Sequence, residues 1–473
     1  MDHFSGCKAD VDVVEHAARH GRLETLRYFL EYERQGDEGV ETRNVICWGV
    51  DDLVNALEGG FTETARWLYE NTPEADRDLS RAMRFAVRRG DMEVIRWLLD
   101  VVYRPELHLP PPTMNDAAAG GHMEILQWIF EQGYEGESDQ ALEEAARDGC
   151  LDMVEWLVSR GITEGASKAA QAASNEGHLS ILRWLREHNL GQFAPYAMSN
   201  AIYQGHLDIV EYLNEEGISD LPSKMMKIAA GNAHLDIVKW LYEEYDNDDL
   251  FPPYDPLTDN RDMSKQTAMD EAAINGHLHV LEYLHAIAVS NKESGENGGP
   301  TCSKSPFNIA AAVGHFEVVK WLYQNYPEKC FSHRTTTVAT MSGKLEIMQW
   351  LHDQTDVEWT TTVMDQAAEG GHLHIVKWLH VNRSEGCTEY AMNHAANMGH
   401  LNVVRWLNDN RSEGCTAEAM DLAAGLEHFE VLLYLRARRT EGSTMVAKLN
   451  SLDSRRKHQL AWLEEHYPDP MWG

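Results

Sequence analysis

At 473 residues the chain is longer than one hydrophobic core usually grows, so it holds either several globular domains or an array of repeats. Its 76 acidic against 41 basic side chains leave a formal charge of −35, a field that repels phosphate backbones and anionic lipid and argues against nucleic-acid and membrane partners. Solubility of an extensive surface accounts for this charge most simply, with a basic protein partner as the alternative. The seven cysteines form no CxxC pair, which excludes a zinc knuckle or disulfide scaffold and fits a reducing compartment. Residues 1–12 lack an apolar leader, and no apolar run approaches the ~18 residues of a membrane span. A soluble monomer of the cytoplasm or nucleus is the expectation.

Self-similarity organises everything that follows. Gly371-His372-Leu373-His374-Ile375-Val376-Lys377-Trp378-Leu379 returns as Gly399-His400-Leu401-Asn402-Val403-Val404-Arg405-Trp406-Leu407. Taking that glycine as position 0, the frame falls at 21, 60, 90, 121, 149, 177, 205, 233, 276, 314, 343, 371, 399, 427 and 455. Eight of the fourteen intervals are 28 residues. Position +7 is aromatic in every unit and takes eleven of the chain's fourteen tryptophans; only Trp48, Trp359 and Trp472 lie elsewhere.

Each unit predicts two short helices. The first carries paired alanines and a methionine at helical spacing, as in Ala391, Met392, Ala395 and Ala396. Glycine ends it, and the second helix presents position +2 Leu, +5 Val and +8 Leu, a face that +4 Ile or Val and +7 Trp widen. The methionines Met83, Met114, Met198, Met269, Met364, Met392 and Met420 share one position and read as core filler. Neither helix is long enough to be stable alone, so stacking must supply the burial.

Breaks in the period place loop insertions at about 31–50, 244–266 and 287–304. Near the C-terminus the linker Asn382-Arg383-Ser384-Glu385-Gly386-Cys387-Thr388 recurs at Asn410–Thr416. Stacked first helices lie about 8–10 Å apart, beyond disulfide reach, so Cys387 and Cys415 should remain thiols. A degenerate unit at about 444–465 reads as a polar cap, followed by a tail at 466–473.

The Ala-Ala-x-x-Gly-His-Leu-x-Val-Val-x-Trp-Leu core of Ala395–Leu407 resembles the heart of the ankyrin repeat, and the likeness covers about residues 13–465. Two departures stand out. The family's Thr-Pro-Leu-His is replaced by Ala-Met-Asp or Ala-Met-Asn, as at Ala268–Asp270 and Ala391–Asn393. The unit is also shorter than the roughly 33-residue norm, which removes the hairpin between repeats. The expectation is an all-α solenoid of about 14–15 stacked repeats over residues 1–465, with short loops and little β-hairpin.

No catalytic, cofactor or metal motif emerges. Nine histidines, His122, His178, His206, His234, His277, His315, His372, His400 and His428, follow the turn directly, and repetition at one place reads as architecture. His277-x-His279 and His372-x-His374 point their rings apart on a helix. Asp246–Asp249 lacks the glycine and terminal glutamate of a calcium loop and reads as a solvated loop.

The resemblance implies a non-catalytic scaffold that binds a protein partner along a concave face. It puts the partner against the two residues ahead of each turn glycine: Arg88 and Arg89, Arg147 and Asp148, Asn175 and Glu176, Tyr203 and Gln204, Ile274 and Asn275, and Asn397 and Met398. The alternatives are a targeting or regulatory subunit of an enzyme complex, or a structural spacer.

Overall fold

The computed structural model describes residues 11–35, 48–72, 78–102, 112–133, 138, 140–190, 196–252, 266–294, 299–303, 306–330, 335–426 and 428–441. The terminal unit expected at 444–465 and the tail at 466–473 lie outside these residues, as does the greater part of the 244–266 insertion. The chain divides into two compact units, Met1–Ile218 and Ser219–Gly473.

The first unit consists of seven helix pairs. These are α1 (Val11–Arg19) with α2 (Leu23–Gln35), α3 (Asp52–Glu58) with α4 (Thr62–Asn71), and α5 (Leu79–Arg89) with α6 (Met92–Val102). Then come α7 (Met114–Ala119) with α8 (Met123–Glu131), and α9 (Ala141–Arg147) with α10 (Leu151–Ser159). The last two are α11 (Ala166–Glu176) with α12 (Leu179–Glu187), and α13 (Ala197–Gln204) with α14 (Leu207–Glu215).

The second unit has seven more pairs and two short extra helices. It opens with α15 (Pro222–Gly231), α16 (Leu235–Glu244) and the single turn α17 (Asn247–Leu250). It continues with α18 (Ala268–Ile274) and α19 (Leu278–Ser294), then α20 (Pro306–Val313), α21 (Phe316–Asn325) and the turn α22 (Pro327–Cys330). The pairs α23 (Thr335–Met341) and α24 (Leu345–Gln354), and α25 (Thr361–Glu369) and α26 (Leu373–Asn382), follow. Finally come α27 (Glu389–Asn397) with α28 (Leu401–Asn410), and α29 (Glu418–Gly425) with α30 (Phe429–Arg438). The described residues are all-α and contain no strand, as the shortened period predicts.

The odd helices from α7 to α11 pack in sequence in the first unit, and the odd helices from α23 to α29 do so in the second. Paired alanines allow that approach: Ala145 and Ala146 are fully buried, as are Ala395 and Ala396. The seven methionines are buried beside them, which bears out their reading as filler. In the second helices the buried set is +4, +5 and +8, for instance Val403, Val404 and Leu407. The expected +2 Leu and +7 Trp are only half-buried. Helical geometry explains this correction. At about 100° per residue, +4, +5 and +8 share one face, while +2 and +7 fall on opposite flanks of it. Each such aliphatic side chain contributes about 1.5–3 kcal/mol when buried.

Two insertions are more regular than expected. Helix α19 carries on through residues 287–294, where Ile287 and Asn291 are buried, because apolar residues keep helical spacing from Val280 onward. In the 244–266 insertion the acidic run starts α17, and Leu250 and Phe251 anchor it in the core. Asp248 and Asp249 sit exposed at that helix's N-terminus, where the macrodipole favours carboxylates.

The turn between paired helices needs a left-handed residue, and Gly177 and Gly205 both supply φ of 86°. One repeat has Ala233 there, at φ 67°. Left-handed backbone costs an L-residue about 1–2 kcal/mol, of which glycine's extra unfolded-state entropy returns part. Replacing Ala233→Gly should therefore raise stability by about 0.5–1 kcal/mol, read as an upward shift of the thermal or denaturant midpoint of the second unit. An unchanged or lower midpoint would show that the turn carries no strain.

Candidate binding surface

The surface is built on the turns. In most described repeats the histidine after the turn lies over the preceding repeat's turn glycine: a Cβ on Gly177 would sit 2.8 Å from the His206 ring, and one on Gly149 would sit 2.6 Å from that of His178. The same ring reaches the carbonyl two residues before that glycine. His122 Nε2 donates to Arg88 at 3.0 Å, His178 to Arg147 at 2.9 Å, His206 to Asn175 at 2.9 Å and His372 to Met341 at 2.9 Å. A carbonyl only accepts, so the ring's proton belongs on Nε2. Burial, partly offset by these carbonyls, lowers the pKa of His277 and of His400.

The two His-x-His pairs are used the same way. His279 donates to the Ala233 carbonyl at 3.3 Å and His374 to that of Gly343 at 3.4 Å. Ring centroids are 6.5 Å apart in one pair and 6.0 Å in the other. Among the described residues no group of three His, Cys, Asp or Glu side chains is placed to hold a metal ion.

The Ala-Met-Asp/Asn segment forms a second joint, which the sequence reading passed over. Its polar residue is buried and holds the start of the next repeat. Thr388 donates to Asp365 from both its N–H and its hydroxyl, each at 2.8 Å. Asn393 accepts from the Thr416 N–H at 3.0 Å and donates to its hydroxyl at 2.8 Å. Ser303 N–H donates to Asp270 at 2.8 Å, and Gln140 N–H to Asn115 at 3.1 Å. The clue was present as a polar residue in an otherwise apolar first helix.

A third joint runs along the second helices. The aromatic at +9 meets the next repeat's +7 tryptophan edge to face, as in Tyr69 with Trp97, Phe130 with Trp156, Tyr323 with Trp350 and His380 with Trp406. The cation at +6 covers the same neighbour's ring, as Arg66 does for Trp97 and Arg183 for Tyr212. In the linkers Arg383 pairs with Glu385, Arg411 with Glu413 and Arg439 with Glu441. Cys387 and Cys415 are free buried thiols, and burial raises the Cys387 thiol to about 11.

With these joints assigned, the twelve candidate residues sort by position. At −2, the Arg88, Arg147 and Asn175 carbonyls are taken by histidines, so part of each residue is framework. Arg88 also donates to the buried Asp116 at 2.8 Å, and Arg147 pairs with Glu143 and Glu144. Arg89 donates to the Leu57 carbonyl at 3.1 Å. Ile274 and Asn397 are half-buried, whereas Tyr203 is 60% exposed. At −1, Asp148, Glu176, Gln204, Asn275 and Met398 are all exposed. Val313 and Leu426 are exposed at the same register, as is Met341 one residue earlier, and these were not among the expected residues.

The family model described as ankyrin repeats in three copies matches residues 169–251 and 226–333, and that described as ankyrin repeats in many copies matches 364–407. These segments are ankyrin repeats. No curated protein matches the chain. Among solved structures it is similar to the pentatricopeptide repeat protein PPR10 in complex with an 18-nt psaJ RNA element, at 11% identity and a TM-score of 0.32 over 96% of this chain and 79% of that one. It is also similar to the pentatricopeptide repeat protein PPR10 from maize, at 12% identity and a TM-score of 0.27 over 96% of this chain and 84% of the other. The ankyrin repeats here keep the turn glycine and histidine, and replace the family's Thr-Pro-Leu-His with the buried Asp or Asn joint.

Two stability predictions follow from these joints. Truncating His206→Ala leaves the Asn175 carbonyl without its donor and should cost about 1–2 kcal/mol in a denaturant titration, whereas truncating the exposed Gln204→Ala should cost little. Burial raises the Asp365 carboxyl, with the Thr388 hydrogen bonds opposing it. The folded state then holds that proton more tightly than the unfolded chain, so stability falls as pH rises from the unfolded carboxyl range through the folded value. Asp365→Asn, which copies Asn393, should match or exceed the original protein in thermal midpoint at neutral pH and lose that advantage near pH ~4. A constant difference across that range would contradict the assignment.

Proposed function

We propose that the chain is a non-catalytic scaffold that captures a protein partner along the ends of its first helices. The observation that carries this is the contrast within each turn. The histidines, glycines and buried polar residues are consumed in holding repeats together, while the −1 side chains beside them are exposed and chemically varied: Asp148, Glu176, Gln204, Asn275 and Met398. Ankyrin repeats are in general protein-interaction modules, which supports the same reading.

The scaffold acts as a monomer in the cytoplasm or nucleus, with neither nucleic acid nor membrane as its ligand. The charge of −35 supports that choice of partner class. Among the described residues no helix is long and apolar enough to cross a membrane.

Affinity capture from cell lysate tests this with two paired variants, Tyr203→Asp/Gln204→Lys in the first unit and Asn275→Lys/Met398→Lys in the second. At least one pair should reduce a stoichiometric partner tenfold or more while Glu211→Lys, on the far helix, leaves capture unchanged. Full capture by both pairs, with folding intact by circular dichroism, would rule out the first-helix ends as the binding surface.

A further inference from the structure

One stretch of the second unit presents apolar side chains at the turn register. Val313 is 51% exposed, Met341 53%, Met398 43% and Leu426 50%, one from each of α20, α23, α27 and α29. These helices pack in sequence through α25, so the four side chains follow one row of adjacent elements. Between them α25 ends in Glu369, and the following Gly370, having no Cβ, makes room for the His372 ring.

The row is poor in cations. Helices α20, α23, α25, α27 and α29 contain no lysine or arginine; the half-buried Glu369 lies beside the row, Glu389 and Glu418 are exposed at the starts of α27 and α29, and Asp365 and Asp421 are buried. Lys344, which replaces the turn histidine and lies over Gly314, borders the row. Glu369 accepts from Gln366 at 2.9 Å and from the Tyr390 hydroxyl at 3.3 Å, and its ionic neighbour is His394 at 3.7 Å. Exposed aliphatics on either side of the half-buried Glu369 carboxylate complement a segment that is both apolar and basic.

We infer that this strip of the second unit docks a basic amphipathic helix from another protein. Apolar residues of that helix cover Val313 with Met341 and Met398 with Leu426, and a lysine or arginine between them meets Glu369. Spacing suits a helix. Packed helices lie about 8–10 Å apart, and a rise of about 1.5 Å per residue brings a guest side chain back to the strip every six or seven residues. Such a ligand resembles the helix-in-groove mode, with anchors two turns apart. Nucleic acid and anionic membrane are disfavoured by the same acids that attract this helix. The inference rests on the scaffold reading and narrows it to one partner chemistry.

The probe is a fluorescein-labelled Leu/Lys amphipathic helix of about 28 residues, long enough for the strip's span at the rise above. It is compared by fluorescence anisotropy, at near-physiological salt, with a Leu/Glu peptide of the same apolar face and a Ser/Lys peptide of the same charge. The full chain should bind the Leu/Lys helix at least tenfold more tightly than either control. Met341→Lys/Met398→Lys should weaken it at least tenfold, while Leu221→Lys/Leu433→Lys, exposed off the strip, should not. Equal binding by the strip variant, or equal binding of the Leu/Glu peptide, overturns the inference. Sedimentation adds a further arm: a dimer of the full chain that the strip variant dissolves would make the strip a self-interface and also overturn it. If the Leu/Lys helix fails while lysate capture is still lost in first-helix variants, the partner chemistry falls and the scaffold reading stands.

Discussion

The contact on which the rest of the structure depends is a histidine ring seated on the previous repeat's turn glycine, its Nε2–H bonded to a carbonyl of the same turn. One side chain there solves two problems. A helix C-terminus leaves carbonyls without intrahelical donors, and a left-handed turn glycine leaves bare backbone that water would otherwise cover. The ring satisfies one and covers the other. Because the donor comes from the next repeat, closing a helix end and joining two repeats are the same event. Where the histidine is missing, as at Lys344, an aliphatic stem over Gly314 keeps the cover.

Around that contact the other joints divide the work by polarity. Inside, Asp365 with Thr388 and Asn393 with Thr416 are geometrically alike, although one member is a carboxylate and the other a carboxamide. The carboxylate version is the costlier, since burial opposes its charge more than the hydrogen bonds from Thr388 and Ala391 offset. Outside, the +7 indole receives an aromatic edge and a cation from the preceding repeat, contacts that gain from partial burial. Tryptophan suits this place because it covers more area than any other side chain from a half-buried position.

Much of this was legible in the residues. The position of every turn, the pairing of helices, the absence of strands and the architectural role of the histidines all follow from one repeating nine-residue segment, since periodic apolar residues and glycine act locally. What was not legible involved a partner distant in sequence. The +7 tryptophan reads as core from spacing alone, and only the neighbour's +9 and +6 side chains explain why it sits at the edge. Arg88 and Arg89 look like free cations in the sequence, and their ties to Asp116 and to the Leu57 carbonyl depend on which repeat faces which. Helix α19 outran its expected end because the break in the period marks only where the next repeat resumes, while Ile287 and Asn291 find burial that extends the helix.

The duplicated linkers at Asn382–Thr388 and Asn410–Thr416 have a consequence for how such a chain changes length. Every joint described in this stretch draws on two neighbours in a fixed register, so adding or losing a few residues would mismatch all of them together. A gain or loss of one whole period matches them again: without residues 372–399, Asp365 would face Thr416 in place of Thr388, and the same hydroxyl and amide would answer it. Genetic recombination between near-identical repeats produces such whole-period steps. In this stretch the joints leave the array free to change its length in units of 28 residues.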